Sequence, residues 1–127
     1  MSKIDDVDEV QFRQINPSWL EDDGPSRLAF LPTKKDDGKL SLDRSSTTTA
    51  KDAFEDFKAL GLNSSGVYGL TPDEFSKQPS PVECHGSPLE NNPHHSHADF
   101  SELSNGQRKA KSQELRRLAI ARGKLHP

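Results

Sequence analysis

The sequence predicts a small α+β protein in which a mixed or antiparallel sheet of about four to six short strands carries one amphipathic helix and a C-terminal basic helix. Several short segments alternate apolar and polar residues, which is typical of strands. Two longer segments place apolar residues at helical spacing, and turn-forming residues separate most segments. The length of 127 residues favours one domain, which we expect over residues 9–127 after a disordered tail at residues 1–8.

Three strands are predicted in the first third of the chain. Residues 9–15, 26–31 and 39–43 alternate apolar and polar side chains, the last with Leu40 and Leu42 on one face. An Asp-Gly pair lies between the second and third segments, and this pair is a strong hairpin signal. We therefore expect those two segments to pair with each other.

Two helices are predicted from their caps and their apolar spacing. Thr49 is a suitable N-cap for the first helix, and Gly61 is placed to end it. The second helix, over residues 104–122, begins with Ser104 and Gln107 in the spacing of a capping box. A glycine directly follows this segment, as expected at a helix end.

Three further strands are predicted at residues 65–70, 82–84 and 96–100. In the last of them, His97 and Asp99 share the face opposite to the apolar one. The apolar faces together predict a core of Val10, Phe12, Leu28, Phe30, Leu40, Leu42, Phe54, Phe57, Leu60, Val67, Leu70, Ala98 and Phe100.

The composition excludes several classes of protein. Leu, Ile, Val and Phe account for 26 of the 127 residues, which is near the lower limit for a folded core. The single cysteine, Cys84, cannot form a disulfide within the chain. No apolar stretch approaches the roughly 18 residues of a membrane span. The N-terminal residues lack a secretory pattern, so we expect a cytoplasmic protein.

Positive charge is concentrated near the C-terminus. Residues 108–124 contain seven positive side chains and one negative, for a net charge of +6, whereas the rest of the chain carries −9. This segregation predicts either a basic helix that binds a partner or an acidic body that attracts its own basic helix. The candidate residues for binding another protein or nucleic acid are Arg108, Lys109, Lys111, Arg116, Arg117, Arg122 and Trp19.

A cluster of histidines suggests a zinc site as one alternative. Cys84, His85, His94 and His97 are residue types that bind zinc, and a structural site usually takes four of them. Their spacing differs from the established zinc-binding arrangements, so a solvated histidine-rich loop is the other interpretation. We therefore expect no cofactor, with zinc as the alternative.

A second cluster suggests acid–base chemistry. His97 and Asp99 point the same way on a strand, and a carboxylate can orient an imidazole for proton transfer. Arg13 is suited to binding a phosphate, and Ser26 supplies a hydroxyl. These four residues are the candidates for a small toxin-like enzyme that acts on RNA or a nucleotide.

The sequence contains none of the motifs that identify common enzyme classes. A G-x-S-x-G elbow, a phosphate-binding P-loop, an H-E-x-x-H pair and a dinucleotide fingerprint are all missing from it. The preferred hypothesis is therefore a non-catalytic accessory protein that binds another protein, with no role for a membrane. Nucleic-acid binding through the basic helix is the alternative.

Several segments together resemble a group of short, uncharacterised bacterial proteins. The similar segments are residues 12–17, 26–32, 36–42, 66–67 and 97–100. The resemblance implies a genuine α+β fold and a bacterial genome of the kind in which small accessory proteins accompany mobile-element or phage-defence genes. It supplies no catalytic residue.

Overall fold

The computed structural model describes residues 2–127 as a central sheet with three helices. Its strands are β1 (Ser2–Lys3), β2 (Gln11–Gln14), β3 (Leu20–Glu21), β4 (Gly24–Pro25), β5 (Lys39–Arg44), β6 (Val67–Leu70), β7 (Glu83–Gly86) and β8 (His95–Asp99). Its helices are α1 (Ala50–Ala59), α2 (Pro72–Phe75) and α3 (Asn105–Arg122). Six strands form one antiparallel sheet in the order β1–β7–β8–β5–β2–β6, and β3 pairs with β4 separately. This architecture confirms the predicted α+β class.

The two faces of the large sheet have different surroundings. On one face, which we call the core face, Leu40, Leu42 and Ala98 pack with α3 and the 3-10 helix Arg27–Phe30 in the main hydrophobic cluster. On the other, which we call the open face, α1 packs over β2 in a smaller cluster. Strands β5, β7 and β8 carry mainly polar side chains on the open face.

Both long helices begin at the caps that the sequence predicts. The Thr49 hydroxyl accepts a hydrogen bond from the amide of Asp52, which satisfies a donor at the start of α1. Ser104 and Gln107 form the expected capping box at the start of α3. None of the helices in residues 2–127 has the length and apolar character needed to cross a membrane.

The prediction of a strand at residues 26–31 is wrong. This segment forms the 3-10 helix Arg27–Phe30, which buries Ala29 and Phe30 and leaves Leu28 47% exposed. The expected hairpin with β5 does not form, because β2 and β8 occupy the two edges of β5. The two apolar side chains that alternate in this segment, Leu28 and Phe30, therefore lie on a tight helical turn and do not share one face of a strand.

The N-terminal segment differs from the predicted disordered tail. Strand β1 pairs with β7, and the side chain of Ile4 is buried in the main cluster. The amide of Ile4 donates to the carbonyl of Cys84 at 3.0 Å. One apolar residue among acidic ones is a weak sequence signal. The partner strand of β1 lies 82 to 84 residues further along the chain, so local sequence does not indicate the pairing.

The predicted core is partly correct. Eight of its members are buried, but Leu28 and Leu60 are exposed, while Val10, Phe54 and Phe57 are half-buried. The face of β2 with Gln11 and Arg13 points toward the main core, and Phe12 belongs to the smaller cluster. The core also contains buried residues that were not predicted, namely Ile4, Ile15, Ala29, Ala53, Phe75, Val82, Cys84, Leu115 and Ala119.

Candidate functional site

The open face carries a cleft between α1 and residues 87–94. It consists of three adjoining hollows. The central hollow shares Asp43 and Asn92 with a second hollow beneath the end of α1. It shares Ser41 and His95 with a third hollow, which is also lined by Lys39 and His97. We call the three hollows together the histidine cleft.

The hydrogen bonds of His95 determine which of its ring nitrogens carries the proton. Its Nδ1 lies 3.0 Å from the carbonyl oxygen of Ser87 and 2.9 Å from the Ser87 hydroxyl. A carbonyl oxygen only accepts hydrogen bonds, so Nδ1 must donate. The neutral ring therefore has an unprotonated Nε2, and this atom has no hydrogen-bond partner among residues 2–127.

The hydroxyl of Ser87 also contacts His97. Its oxygen accepts from Nδ1 of His95 and lies 2.9 Å from Nδ1 of His97. Because a hydroxyl oxygen has two acceptor lone pairs and one hydrogen, this contact fits either tautomer of His97. Burial lowers the pKa of His97, and the nearby His85, whose ring stacks on it at 5.4 Å between centroids, lowers it further.

A buried carboxyl group lies opposite His95. Asp43 pairs with His95 in the register of β5 and β8, and only 8% of Asp43 is exposed. Burial raises the pKa of Asp43, although Nδ2 of Asn92 donates to its carboxylate at 2.6 Å. The cleft therefore combines a carboxyl that retains its proton to higher pH with an imidazole whose Nε2 can accept one.

Arg13 is placed in the wall of the central hollow, where it has a mainly structural role. Its guanidinium donates to the carbonyl oxygens of Ala29 at 2.7 Å and Ser41 at 3.0 Å, and it lies 5.1 Å from the ring centroid of Trp19. Burial lowers the pKa of Arg13 to about 10, so it keeps its positive charge at neutral pH. The side chain joins the 3-10 helix to β5 beside the cleft.

The structure brings together only part of the predicted catalytic set. His97 and Arg13 both line the histidine cleft. Asp99 lies on the open face, but its carboxylate accepts from the amide of Ser101 and holds the turn after β8. Ser26 lines a different hollow, next to α3, where its buried hydroxyl has no partner among residues 2–127.

Sequence reasoning missed the three residues that organise the cleft, Asp43, Ser87 and His95. Two of them had a detectable signal, because Asp43 alternates with buried leucines on β5 and His95 shares the polar phase of His97 on β8. Ser87 had no signal, since it follows β7 and meets the histidines only in the folded chain.

The four candidate zinc ligands do not converge. Cys84 is buried on the core face, where desolvation raises the pKa of its thiol to about 12. His85 and His97 are on the opposite face, and Nδ1 of His94 lies 2.9 Å from the Thr47 hydroxyl. Within residues 2–127 no three His, Cys, Asp or Glu side chains are grouped as metal ligands. The alternating strand β7 separates Cys84 from His85.

Several cations of the basic helix have partners within the protein. Arg116 binds the carboxylate of Asp23 at 3.0 Å and the carbonyl oxygen of Pro25 at 2.8 Å. Arg122 pairs with Glu74 at 2.6 Å. These contacts favour the interpretation that the acidic body attracts its own basic helix.

The remaining cations of α3 differ in exposure. Lys111 is buried and pairs with Glu114 at 3.2 Å, and burial lowers the pKa of its ammonium group. Nε of Arg108 donates to the carbonyl of Leu103 at 3.2 Å. Lys109 and Arg117 are exposed and form no salt bridge within residues 2–127. Binding of nucleic acid by α3 stays a prediction, with these two side chains as its most accessible cations.

Trp19 is not the exposed anchor expected for an interface. It is half-buried, packs against the main cluster and receives the Arg13 guanidinium on its ring. It also lines the central hollow of the cleft. Trp19 therefore belongs to the cleft rather than to a surface formed with α3.

Comparisons with known proteins identify no relative. No protein-family model matches the chain, and no curated protein or solved structure matches it. A function must therefore be argued from the chemistry of the cleft, since a fold alone does not determine one.

Proposed function

We propose that this protein is a small enzyme that acts on RNA or a nucleotide by general acid–base catalysis in the histidine cleft. The observation that carries the proposal is the pair formed by His95, with an unprotonated Nε2, and Asp43, with a raised pKa, on adjacent strands. Paired groups of this kind transfer protons in opposite directions during one reaction.

The proposed reaction on RNA assigns one proton transfer to each group. Nε2 of His95 removes the proton of a ribose 2′-hydroxyl, and the 2′-oxygen forms a bond to the adjacent phosphorus. The bond from phosphorus to the 5′-oxygen breaks, and Asp43, in the protonated form that burial favours, donates its proton to that leaving oxygen. The products are a 2′,3′-cyclic phosphate and a free 5′-hydroxyl, so atoms and charges balance.

A cation in the third hollow supports a phosphate-bearing substrate. Lys39 is half-buried beside His97 and forms no salt bridge within residues 2–127, although Asp99 lies opposite it in the register. An ammonium group at this position can stabilise the negative charge that develops on the phosphate oxygens. Ser87 and His97 act through His95 and are positioning residues in this scheme.

The first test is cleavage of a fluorescently labelled RNA oligonucleotide by the purified protein. His95→Ala should reduce the cleavage rate by at least about 100-fold, as expected for a lost general base. Glu102→Ala, at an exposed side chain outside the cleft, should leave the rate unchanged, whereas a contaminating nuclease would leave the rate of His95→Ala unchanged as well. Equal cleavage by wild type and His95→Ala, or no cleavage by either, contradicts the proposal.

Leu60 and Leu62 favour a second candidate, a non-catalytic accessory protein that binds another protein. These side chains follow each other closely at the end of α1 and are 50% and 47% exposed. Native mass spectrometry of the untagged protein, purified gently from its host, should then show a second polypeptide. Leu60→Lys should release this partner, and Val7→Lys, at another exposed apolar side chain, should not. A bare monomer in every preparation contradicts the accessory role.

A further inference from the structure

Gln14 has a buried, unpartnered polar atom beside the central hollow. The residue lines this hollow, is more than nine-tenths buried, and its Nε2 has no hydrogen-bond partner within residues 2–127. A buried polar group without a partner is costly to folding, and such groups in native proteins commonly have a functional reason.

The unused atom persists whichever way the amide is oriented. The Ser64 hydroxyl contacts Oε1 of Gln14 at 2.7 Å, and it is the amide's single partner within residues 2–127. Rotating the amide by half a turn would place Nε2 on Ser64 and leave Oε1 without a partner instead. One end of the amide therefore lacks a partner in both orientations, and a ligand that reaches it would supply one.

Aromatic side chains line the same hollow. Trp19 is half-buried, with its ring held by Arg13, and Phe57 is half-buried on α1. The hollow has a volume of about 130 Å³ and joins the hollow of Lys39 and His97 through Ser41 and His95. A planar group beside these rings would thus lie next to the proposed reaction centre.

We propose that the central hollow binds the nucleobase of the substrate, with the base beside Trp19 and Phe57 and its polar edge on the amide of Gln14. Nucleobases stack on aromatic side chains and present acceptors and donors along one edge, which either end of an amide can pair with. The phosphate then lies near Lys39 and His95. This inference rests on the proposed function and names the part of the substrate that gives binding specificity.

Trp19 is the single tryptophan of the chain, so its fluorescence reports on this hollow. The probes are the four ribonucleoside 5′-monophosphates and ribose 5-phosphate, which lacks a base. We expect the best nucleotide to change the fluorescence and to bind at least about tenfold more tightly than ribose 5-phosphate, since stacking contributes about 1–3 kcal/mol per base. Ribose 5-phosphate that binds as tightly as every nucleotide overturns the proposal.

Gln14→Met tests the amide, with Gln113→Met on exposed α3 as the matched control. The first variant should weaken nucleotide binding about tenfold and leave binding of ribose 5-phosphate unchanged, because it removes a hydrogen bond to the base only. The control should match wild type. Nucleotide binding that Gln14→Met leaves unchanged overturns the role of the amide.

The outcomes separate this inference from the proposed function. Nucleotide binding that depends on Gln14, without RNA cleavage, keeps the base site and contradicts the catalytic scheme. Cleavage that depends on His95, without discrimination between nucleotides and ribose 5-phosphate, supports the catalytic scheme and contradicts the base site. Should Gln14→Met fail to fold, the discrimination measured with the wild-type protein still decides the existence of the base site.

Discussion

The two faces of the sheet differ in how completely their polar side chains are hydrogen-bonded. On the core face, the Ser96 hydroxyl donates to Gln11, Gln11 donates to Glu9, and Arg44 donates to Glu9 through two nitrogens at 2.8 and 2.9 Å. This chain of contacts runs from Ser96 to Arg44, and its charged groups are paired. Such a network stabilises the fold.

The open face leaves polar atoms unpaired. His95 and His97 use Nδ1 for contacts with Ser87 and keep Nε2 for other partners, and the amide of Gln14 uses one of its two ends. We infer from this contrast that a polar side chain whose hydrogen bonds are all made within the protein has a structural role, whereas one with an unpaired atom can bind a ligand. Burial alone does not distinguish the two faces, since Glu9 and Asp43 are about equally buried.

The largest expected effect on stability is on the core face. Glu9→Ala leaves Arg44 without its carboxylate and Gln11 without one acceptor, so it should lower the free energy of unfolding by about 2–3 kcal/mol. Urea denaturation measures this change. Glu83→Ala, which removes an exposed pair with Lys3, is the control and should change stability by less than about 1 kcal/mol.

A smaller effect is the pH dependence of stability, which has opposite signs for the carboxyls of Glu9 and Asp43. The hydrogen bond from Arg44 lowers the pKa of Glu9, so its contribution is present above the ordinary pKa of a carboxyl and is lost as pH falls through the lowered value. Burial raises the pKa of Asp43, so the folded state holds that proton more tightly than the unfolded chain. Its stability contribution is therefore greatest below the ordinary pKa and decreases as pH rises through the raised value.

Asp43→Asn tests that sign, because asparagine stays neutral at every pH. Relative to wild type, the variant should gain stability between about pH 4 and pH 7, by an amount on the order of 1 kcal/mol or less. Urea midpoints at the two pH values measure it. A variant that loses stability relative to wild type as pH rises would show that the Asp43 charge is favourable in the folded protein.

The smallest effect is spectroscopic. Ser87→Ala removes the hydroxyl but keeps the backbone carbonyl, so His95 should keep its proton on Nδ1, while His97 loses the hydroxyl partner of its Nδ1. Nitrogen chemical shifts of the two imidazoles at neutral pH report these states. His95 shifting together with His97 would show that the hydroxyl, and not the carbonyl, sets both tautomers. Ser101→Ala, at the exposed turn after β8, is the control and should leave both rings unchanged.

Sequence reasoning predicted those parts of the site that depend on alternation along one strand. The shared face of His97 and Asp99 is an example, since side chains two apart on a strand point the same way. It did not predict that His95 would face Asp43, because that pair results from the register between β5 and β8. Ser87 lies in the loop after β7, and no pattern in the neighbouring sequence predicts that this loop brings its side chain to the histidines.

By itself, the sequence determined the elements whose causes lie within a few consecutive residues. The caps at Thr49 and Ser104, the end of α3 at Gly123 and the apolar phase of β5 are local and were confirmed. The fold, and not the local sequence, makes residues 26–31 turn as a 3-10 helix, buries Ile4, and pairs Arg116 and Arg122 of the basic helix with carboxylates of the same chain. The physical reason is that burial, register and charge pairing depend on neighbours that are distant in the chain, and these neighbours exist only after folding.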